Sequence, residues 1–312
     1  MELVRYLHNL KKRHWGCVVT IGNFDGVHLG HQAVIQQLNG LARQLQLPAV
    51  VMIFEPQPLE YFAPDKAPPR LSSFREKVLW LREHGIDRVI CLRFQKSLAE
   101  LSAQEFVEQL LVDEVGARFV IVGDDFRFGK GRAGDLHLLQ EMGRSRGFDA
   151  VSTETLMSGS DRVSSSQIRL LLAQGDMDGA AELLGRPYSM TGRVIHGDKR
   201  GRQLGFPTAN IAIKRSKPPM LGVFAVEVVG LDTGVYHGVA NIGTRPVFAG
   251  NQVLLEVHLL DFDRDIYGQH LQVNFVRRLR SEQKFGSIDL LTKQIKMDIE
   301  GARLYFKDRL DN

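Results

Sequence analysis

Apolar positions along this chain change their period near residue 186, and the change predicts two differently built halves. In the first, near-continuous apolar runs at 17–21, 49–54, 88–94 and 118–122 read as strands buried on both faces of a parallel sheet. Between them, Val34, Leu38, Leu41 and Leu45 recur at helical spacing. Ser73-Phe74-Arg75-Glu76 and Ser102-Ala103-Gln104-Glu105 have capping-box spacing and open two further helices. The first of these carries Val78, Leu79 and Arg82, and the second carries Phe106, Val107, Leu110 and Leu111. Glu55-Pro56-Gln57-Pro58 breaks its strand, and the reading from there to Pro69 is a long loop. Alternating strands and helices predict an α/β domain whose strands are joined by right-handed crossovers.

A short helix over 176–185 and the break Gly185-Arg186-Pro187 divide the chain into expected domains 1–186 and 187–312. Beyond the break, strand-like runs at 189–196, 223–229, 236–242 and 254–260 are separated by Gly, Asp and Asn, the pattern of an antiparallel β-barrel. A closing helix presents Leu291, Ile295, Ile299 and Ala302 on one face.

The 312 residues are 44% hydrophobic and 24% charged, enough for a core in each half. Cys17 and Cys91 sit in apolar runs and give neither a disulfide framework nor a metal spacing, which points to a reducing cytoplasm. No apolar run reaches eighteen residues, so neither export nor a membrane span is expected. The net charge of +4 is spread in short clusters, Lys11-Lys12-Arg13, Lys199-Arg200-Gly201-Arg202 and Arg277-Arg278-Leu279-Arg280. Such clusters suit polyphosphate substrates as well as nucleic acid, so charge alone does not separate the two.

Chemistry concentrates in a few loops. Gly22-Asn23-Phe24-Asp25-Gly26-Val27-His28-Leu29-Gly30-His31 joins a strand to a helix. There, unpaired backbone N–H groups and the positive end of the helix dipole favour an anion, and His28 and His31 share one face of the first turn. Gly123-Asp124-Asp125-Phe126-Arg127-Phe128-Gly129-Lys130-Gly131 fails as a P-loop, having five residues between its first two glycines and Gly131 where Ser or Thr is needed. Asp125 then offers ribose, base or metal contacts, or the segment is a structural turn. Ser164, Ser165 and Ser166, flanked by Arg162 and Arg169, open an apolar helix; capping alone would explain one serine, and three with two arginines read as a second phosphate cradle. In the second half, Thr208 and Asn210 lie two apart in Gly201-Arg202-Gln203-Leu204-Gly205-Phe206-Pro207-Thr208-Ala209-Asn210. In extended backbone their oxygens point the same way, a pair that suits Mg²⁺ on substrate phosphates. Glu256 is a charge in the apolar run 254–260, costly there unless paired or used.

With Gly238-Val239-Ala240-Asn241-Ile242-Gly243-Thr244-Arg245-Pro246 and Glu256-Val257-His258 added, these motifs resemble the bacterial bifunctional riboflavin kinase/FMN adenylyltransferases, or FAD synthetases, over the full chain. His-x-Gly-His alone is common among nucleotidyltransferases, and its occurrence with Gly-Phe-Pro-Thr-Ala-Asn is far more specific. The resemblance implies a Rossmann-like nucleotidyltransferase domain that adenylylates FMN, followed by a β-barrel domain that phosphorylates riboflavin. ATP is the co-substrate of both, Mg²⁺ the cofactor, and riboflavin, FMN and FAD the other small molecules, with no nucleic-acid or membrane partner. It implies catalytic roles for His28, His31 and Glu256, and adenylyltransferase ATP contacts from Gly22, Asn23, Phe24, Asp25, Gly26, Gly30, Asp125, Arg162, Ser164, Ser165, Ser166 and Arg169. It implies kinase contacts from Gly201, Gly205, Pro207, Thr208, Asn210, Asn241 and Arg277, with Thr208 and Asn210 on the metal. Asp125 stands where many members have Asn, and Gln57 where many have His. Three other readings stay open: a riboflavin kinase whose first half only regulates, a nucleotidyltransferase for another phosphate acceptor, and a nucleic-acid-binding protein.

Overall fold

The apolar runs of the first half become the strands of one parallel sheet. The computed structural model describes residues 1–153, 156–158, 161–197, 201, 204–213, 215, 217–247 and 250–310, with backbone alone at 157–158, 161–162, 245–247, 250–252 and 310. Its packing forms two units, Met1–Pro68 with Phe74–Val163, and Pro69–Ser73 with Ser164–Asn312. The first runs β1 (Glu2–Arg5), β2 (Cys17–Ile21), α1 (Leu29–Leu45), β3 (Ala49–Glu55), α2 (Pro58–Phe62), α3 (Phe74–Glu83), β4 (Arg88–Arg93), α4 (Lys96–Ala99), α5 (Ala103–Glu105), β5 (Ala117–Gly123), α6 (Leu136–Arg146) and β6 (Asp149–Thr153). A two-stranded ribbon, β7 (Met157–Ser158) and β8 (Asp161–Arg162), follows.

The sheet order is β1-β4-β3-β2-β5-β6, and every pair is parallel. Alternate residues feed a core on each face: Val19, Ile21, Met52 and Val120 pack on one side, and Val18, Val51, Ile53 and Ile121 on the other, with Ile35 and Leu38 of α1. Two buried faces explain the unbroken apolar runs. Cys17 and Cys91 are both free and buried, and burial pushes the Cys17 thiol up to about 12.

Three sequence expectations need correction in this unit. The buried face of α1 is centred on Ile35, Leu38 and Ala42, with Val34 and Leu41 half-buried at its flank. Leu45, in the last turn, is 46% exposed. The stretch after Pro58 is helical rather than a loop, because the Glu60 carboxylate reaches back 2.9 Å to the Gln57 N–H and proline suits the first helical position. The Ser102 box forms as expected, Ser102 Oγ accepting from Glu105 N–H at 3.1 Å, but its helix widens into a π-helix over Phe106–Glu114. Strands β1 and β6 and helix α6 had no forecast.

In the second unit, α7 (Ser165–Gln174) and α8 (Met177–Leu184) lead into β9 (Tyr188–Ile195), β10 (Ala209–Ala212), β11 (Gly222–Val229), β12 (Tyr236–Val247), β13 (Gly250–Leu259), β14 (His270–Arg280) and α9 (Ile288–Leu310). The strands close an antiparallel barrel in the order β10-β13-β12-β11-β14-β9. Of these, β10 and β14 escaped the sequence reading. Phe224 and Phe275 meet edge-on in the interior, centroids 5.5 Å apart. On the outer surface, Val223, Ala225, Val239 and Val276 lie beneath Ala302 and Phe306 of α9. Helix α9 is clamped where Arg280 gives three hydrogen bonds of 2.9–3.0 Å to the buried Asp298 carboxylate. The packing division at Val163/Ser164 lies earlier than the expected 186/187 boundary. Helix α8 buries Met177, Ala180, Leu183 and Leu184, and Arg278 of β14 donates to the Gln174 carbonyl at 3.2 Å, so both helices belong with the barrel by contact.

Candidate active sites

In a doubly wound sheet, ligands sit beyond the carboxyl ends of the strands where the strand order reverses. Here the chain proceeds from β2 outward through β3 and β4 on one side and from β5 to β6 on the other, so the reversal falls between β2 and β5. The two loops that leave those strand ends are 22–28 and 124–131, the two singled out in the sequence.

The first is tightly wound and buried. Phe24, Gly26 and Val27 all have positive φ, of 47°, 83° and 41°, and a β-branched residue there is under strain. The Gln32 amide donates to the Val27 carbonyl at 3.0 Å and holds the turn. His28 is the N-cap of α1, and its Nδ1 accepts from the His31 N–H at 3.4 Å. Because a backbone N–H can only donate, Nδ1 carries the lone pair and the neutral ring keeps its proton on Nε2. The two imidazoles stack with centroids 3.7 Å apart, and Phe24 lies 4.9 Å from the His31 ring. Gly30 makes this possible: a Cβ there would come within 3.2 Å of the His28 ring and 3.1 Å of the Val163 carbonyl. Asp25 is buried, Asn23 is exposed, and Gly22 leaves the sheet with its N–H on the Met52 carbonyl at 3.1 Å. Asp125 is exposed on the turn after β5, a turn closed by the Phe126 N–H on the Gly123 carbonyl at 3.1 Å.

The serine loop falls in the second unit. Ser164 is the N-cap of α7, its Oγ accepting from Gln167 N–H at 3.2 Å, so that hydroxyl is engaged in capping. Ser165 is partly exposed and Ser166 exposed at the first turn, and Arg169 donates from Nε to the Pro69 carbonyl at 2.6 Å. The Arg162 side chain lies outside those described, as do Lys199, Arg200 and Arg202 of the basic cluster.

On the barrel, strand register does what sequence spacing could not. Asn210 of β10 lies directly opposite Glu256 of β13, and Glu256 directly opposite Asn241 of β12. Cross-strand partners share a face, so the three form one row, two amides flanking a carboxylate. The row is on the outer surface, since Asn241 shares a face with Val239 while Leu255, Val257 and Ile242 are buried on the other side. Glu256 is therefore not a charge sunk in an apolar strand; the alternation of β13 sends its apolar neighbours inward. Gly197 leaves the space for the Asn210 amide, which a Cβ would approach to 2.3 Å. Thr208 precedes β10, on a loop closed by Gly201, whose carbonyl accepts from Leu204 N–H at 3.1 Å and Phe206 N–H at 2.8 Å. Gly205 (φ 87°) and Pro207 are exposed on that loop. Arg277 is not brought to the row: it lies on β14, two strands from Asn241, with its guanidinium 5.6 Å over the Tyr305 ring of α9. Sequence reading quoted His258 only within Glu256-Val257-His258 and gave it no role of its own, yet it reaches this loop from β13. Its signal was its place in that motif, two residues after Glu256.

Comparison with known proteins also divides the chain in two. A family model described as FAD synthetase matches residues 10–167, and one described as riboflavin kinase matches 184–306. A curated bifunctional riboflavin kinase/FMN adenylyltransferase of Escherichia coli (strain K12) is 52% identical over 98% of both chains, and one of Pseudomonas fluorescens is 50% identical over 97% of both. A crystal structure titled as a macrolide-efflux protein from Streptococcus pneumoniae is 31% identical, with a TM-score of 0.82, covering 97% of this chain and 99% of that one. With both halves matched in order and nearly end to end, this chain belongs to the family of bifunctional riboflavin kinase/FMN adenylyltransferases.

Proposed function

We propose that this chain phosphorylates riboflavin to FMN and adenylylates FMN to FAD at two separate centres, and that the residues described above carry the two reactions. The observation that bears most weight is the pairing of a stacked His28/His31 turn at the switch point of the sheet with an Asn210–Glu256–Asn241 row on the barrel. The adenylyltransferase residues all precede 186 and the kinase residues all follow it, which keeps the functional division at 1–186 and 187–312 even though α7 and α8 pack on the barrel.

In the first reaction, an FMN phosphate oxygen attacks the α-phosphorus of ATP and pyrophosphate leaves. The phosphate monoester is largely dianionic at neutral pH, with its second pKa near about 6, so this nucleophile needs no general base. His28, with its proton on Nε2, is a donor to the α-phosphate oxygens on which charge builds, and His31 stacks beside it as the second donor. The first-turn amides of α1 and the glycines 22, 26 and 30 let backbone approach the phosphates. Asp125 and Asn23, both exposed on the turns after β5 and β2, are assigned further contacts to the nucleotide.

In the second reaction, a riboflavin hydroxyl attacks the γ-phosphorus of ATP, ADP leaves as the bond to its bridging oxygen breaks, and the hydroxyl must lose its proton in the process. Glu256 accepts that proton, and the flanking Asn210 and Asn241 amides orient it. The donor set fits Mg²⁺. The Thr208 hydroxyl and the Asn210 amide are neutral hard oxygens, and the described residues contain no cluster of three or more His, Cys, Asp or Glu that could cage a metal. An ion that keeps its waters and takes substrate phosphate oxygens suits such a pair, and when bound it neutralises charge on those phosphates.

Family membership over both halves favours this reading over a merely regulatory first half, another acceptor, or a nucleic-acid binder. A cytoplasmic location belongs to the same proposal, in keeping with two free, buried cysteines. The direct test is incubation with riboflavin, ATP and Mg²⁺, with FMN and FAD followed by chromatography. FMN should appear first and FAD after it; FMN without FAD, or FAD only from supplied FMN, would remove one of the two activities.

A further inference from the structure

The Thr208 loop is tied to the barrel by a side chain that no reading of the site has used. His258 sits on β13 two residues beyond Glu256 and therefore on the same face of the strand. Its Nδ1 lies 2.8 Å from the carbonyl oxygen of Pro207, across 51 positions of sequence. A carbonyl can only accept, so Nδ1 carries the proton and donates it. The Phe206 ring stands edge-on to the imidazole with centroids 6.1 Å apart. The Gly201 carbonyl holds the N–H groups of Leu204 and Phe206, so the loop is held by two separate contacts. The Pro207 carbonyl is part of the planar peptide unit that contains the nitrogen and Cα of Thr208. Fixing that oxygen fixes the plane from which Thr208 departs, and the same strand fixes Glu256.

We propose that His258 is a positioning residue of the kinase centre: its hydrogen bond to the Pro207 carbonyl sets the orientation of Thr208 relative to Glu256. The inference rests on the assignment of Thr208, Asn210 and Glu256 to the kinase reaction. His258 itself exchanges no proton with substrate. What the loop requires is a donor at the position of Nδ1, and asparagine supplies one there while glutamine places its donor where Nε2 would be.

The test compares full-length His258→Ala, His258→Asn and His258→Gln. Amide hydrogen exchange of the 204–210 segment is measured without nucleotide, kcat and KM for ATP are measured in riboflavin phosphorylation, and adenylylation of supplied FMN verifies folding. In the Ala variant, exchange in the segment should rise, and kcat/KM for ATP fall, by about tenfold, the scale of one lost hydrogen bond. The Asn variant should recover both and the Gln variant neither. Unchanged exchange in the Ala variant, or equal behaviour of Asn and Gln, would overturn the proposal. Thr208→Ala separates the two levels. A disabled Thr208→Ala beside a fully active His258→Ala overturns the positioning role alone, whereas an unimpaired Thr208→Ala overturns the site assignment beneath it.

Discussion

His28 shows how much chemistry a single side chain acquires from its place in the backbone. As N-cap of α1 it satisfies one amide of the helix start, and that contact leaves the proton of the neutral ring on Nε2. Replacing His28 or His31 by Ala removes a transition-state donor and should slow conversion of FMN to FAD by about a hundredfold or more, while riboflavin phosphorylation continues. Separate assays with supplied FMN and supplied riboflavin check this, and equal loss of both in a folded variant would mean that the centres are not independent. Glu256→Gln keeps the shape and hydrogen-bonding capacity of the carboxylate but cannot take a proton. FMN formation should drop by about 10²- to 10⁴-fold with KM little changed, and adenylylation of supplied FMN should be untouched. Near-normal turnover with an unaltered pH profile would restrict Glu256 to orienting its neighbours.

At the scale of elements, the attachment of helices to the barrel makes two predictions. Asp298 of α9 is buried and binds Arg280 of β14 through both carboxylate oxygens, and the Gln294 amide donates to the same carboxylate at 2.9 Å. Asp298→Ala would leave a largely buried guanidinium unpaired, a loss of about 3 kcal/mol, readable as an earlier denaturant midpoint of the barrel transition. Helices α7 and α8 lie before the proposed functional boundary yet pack with the second unit. A fragment beginning at Ser164 should therefore fold more stably than one beginning at Pro187, and should phosphorylate riboflavin without making FAD. Equal stability of the two fragments in urea unfolding would deny α8 its part in that core.

For the whole molecule, the two separate centres proposed above predict that each can be supplied by a different copy. A mixture of His28→Ala and Glu256→Gln proteins should make FAD from riboflavin, after a lag in which FMN accumulates, although neither variant does so alone. Absence of FAD from the mixture, with each single activity intact, would show that FMN does not pass freely between molecules. The sequence by itself determined the fold class of each half, because period and burial are written in the same residues: runs apolar on both faces require a covered parallel sheet, and short alternating runs between Gly, Asp and Asn require a barrel. It also marked His28, His31, Thr208, Asn210 and Glu256, whose motifs are local. Only the tertiary structure decided what depends on neighbours distant in sequence. Strand register set Asn210, Glu256 and Asn241 side by side, the barrel's own packing claimed α7 and α8, and α9 drew Arg277 away to Tyr305. His258 bonds to a carbonyl 51 residues away, and no periodicity can announce a contact whose partner is a backbone oxygen, identical at every position until folding selects one.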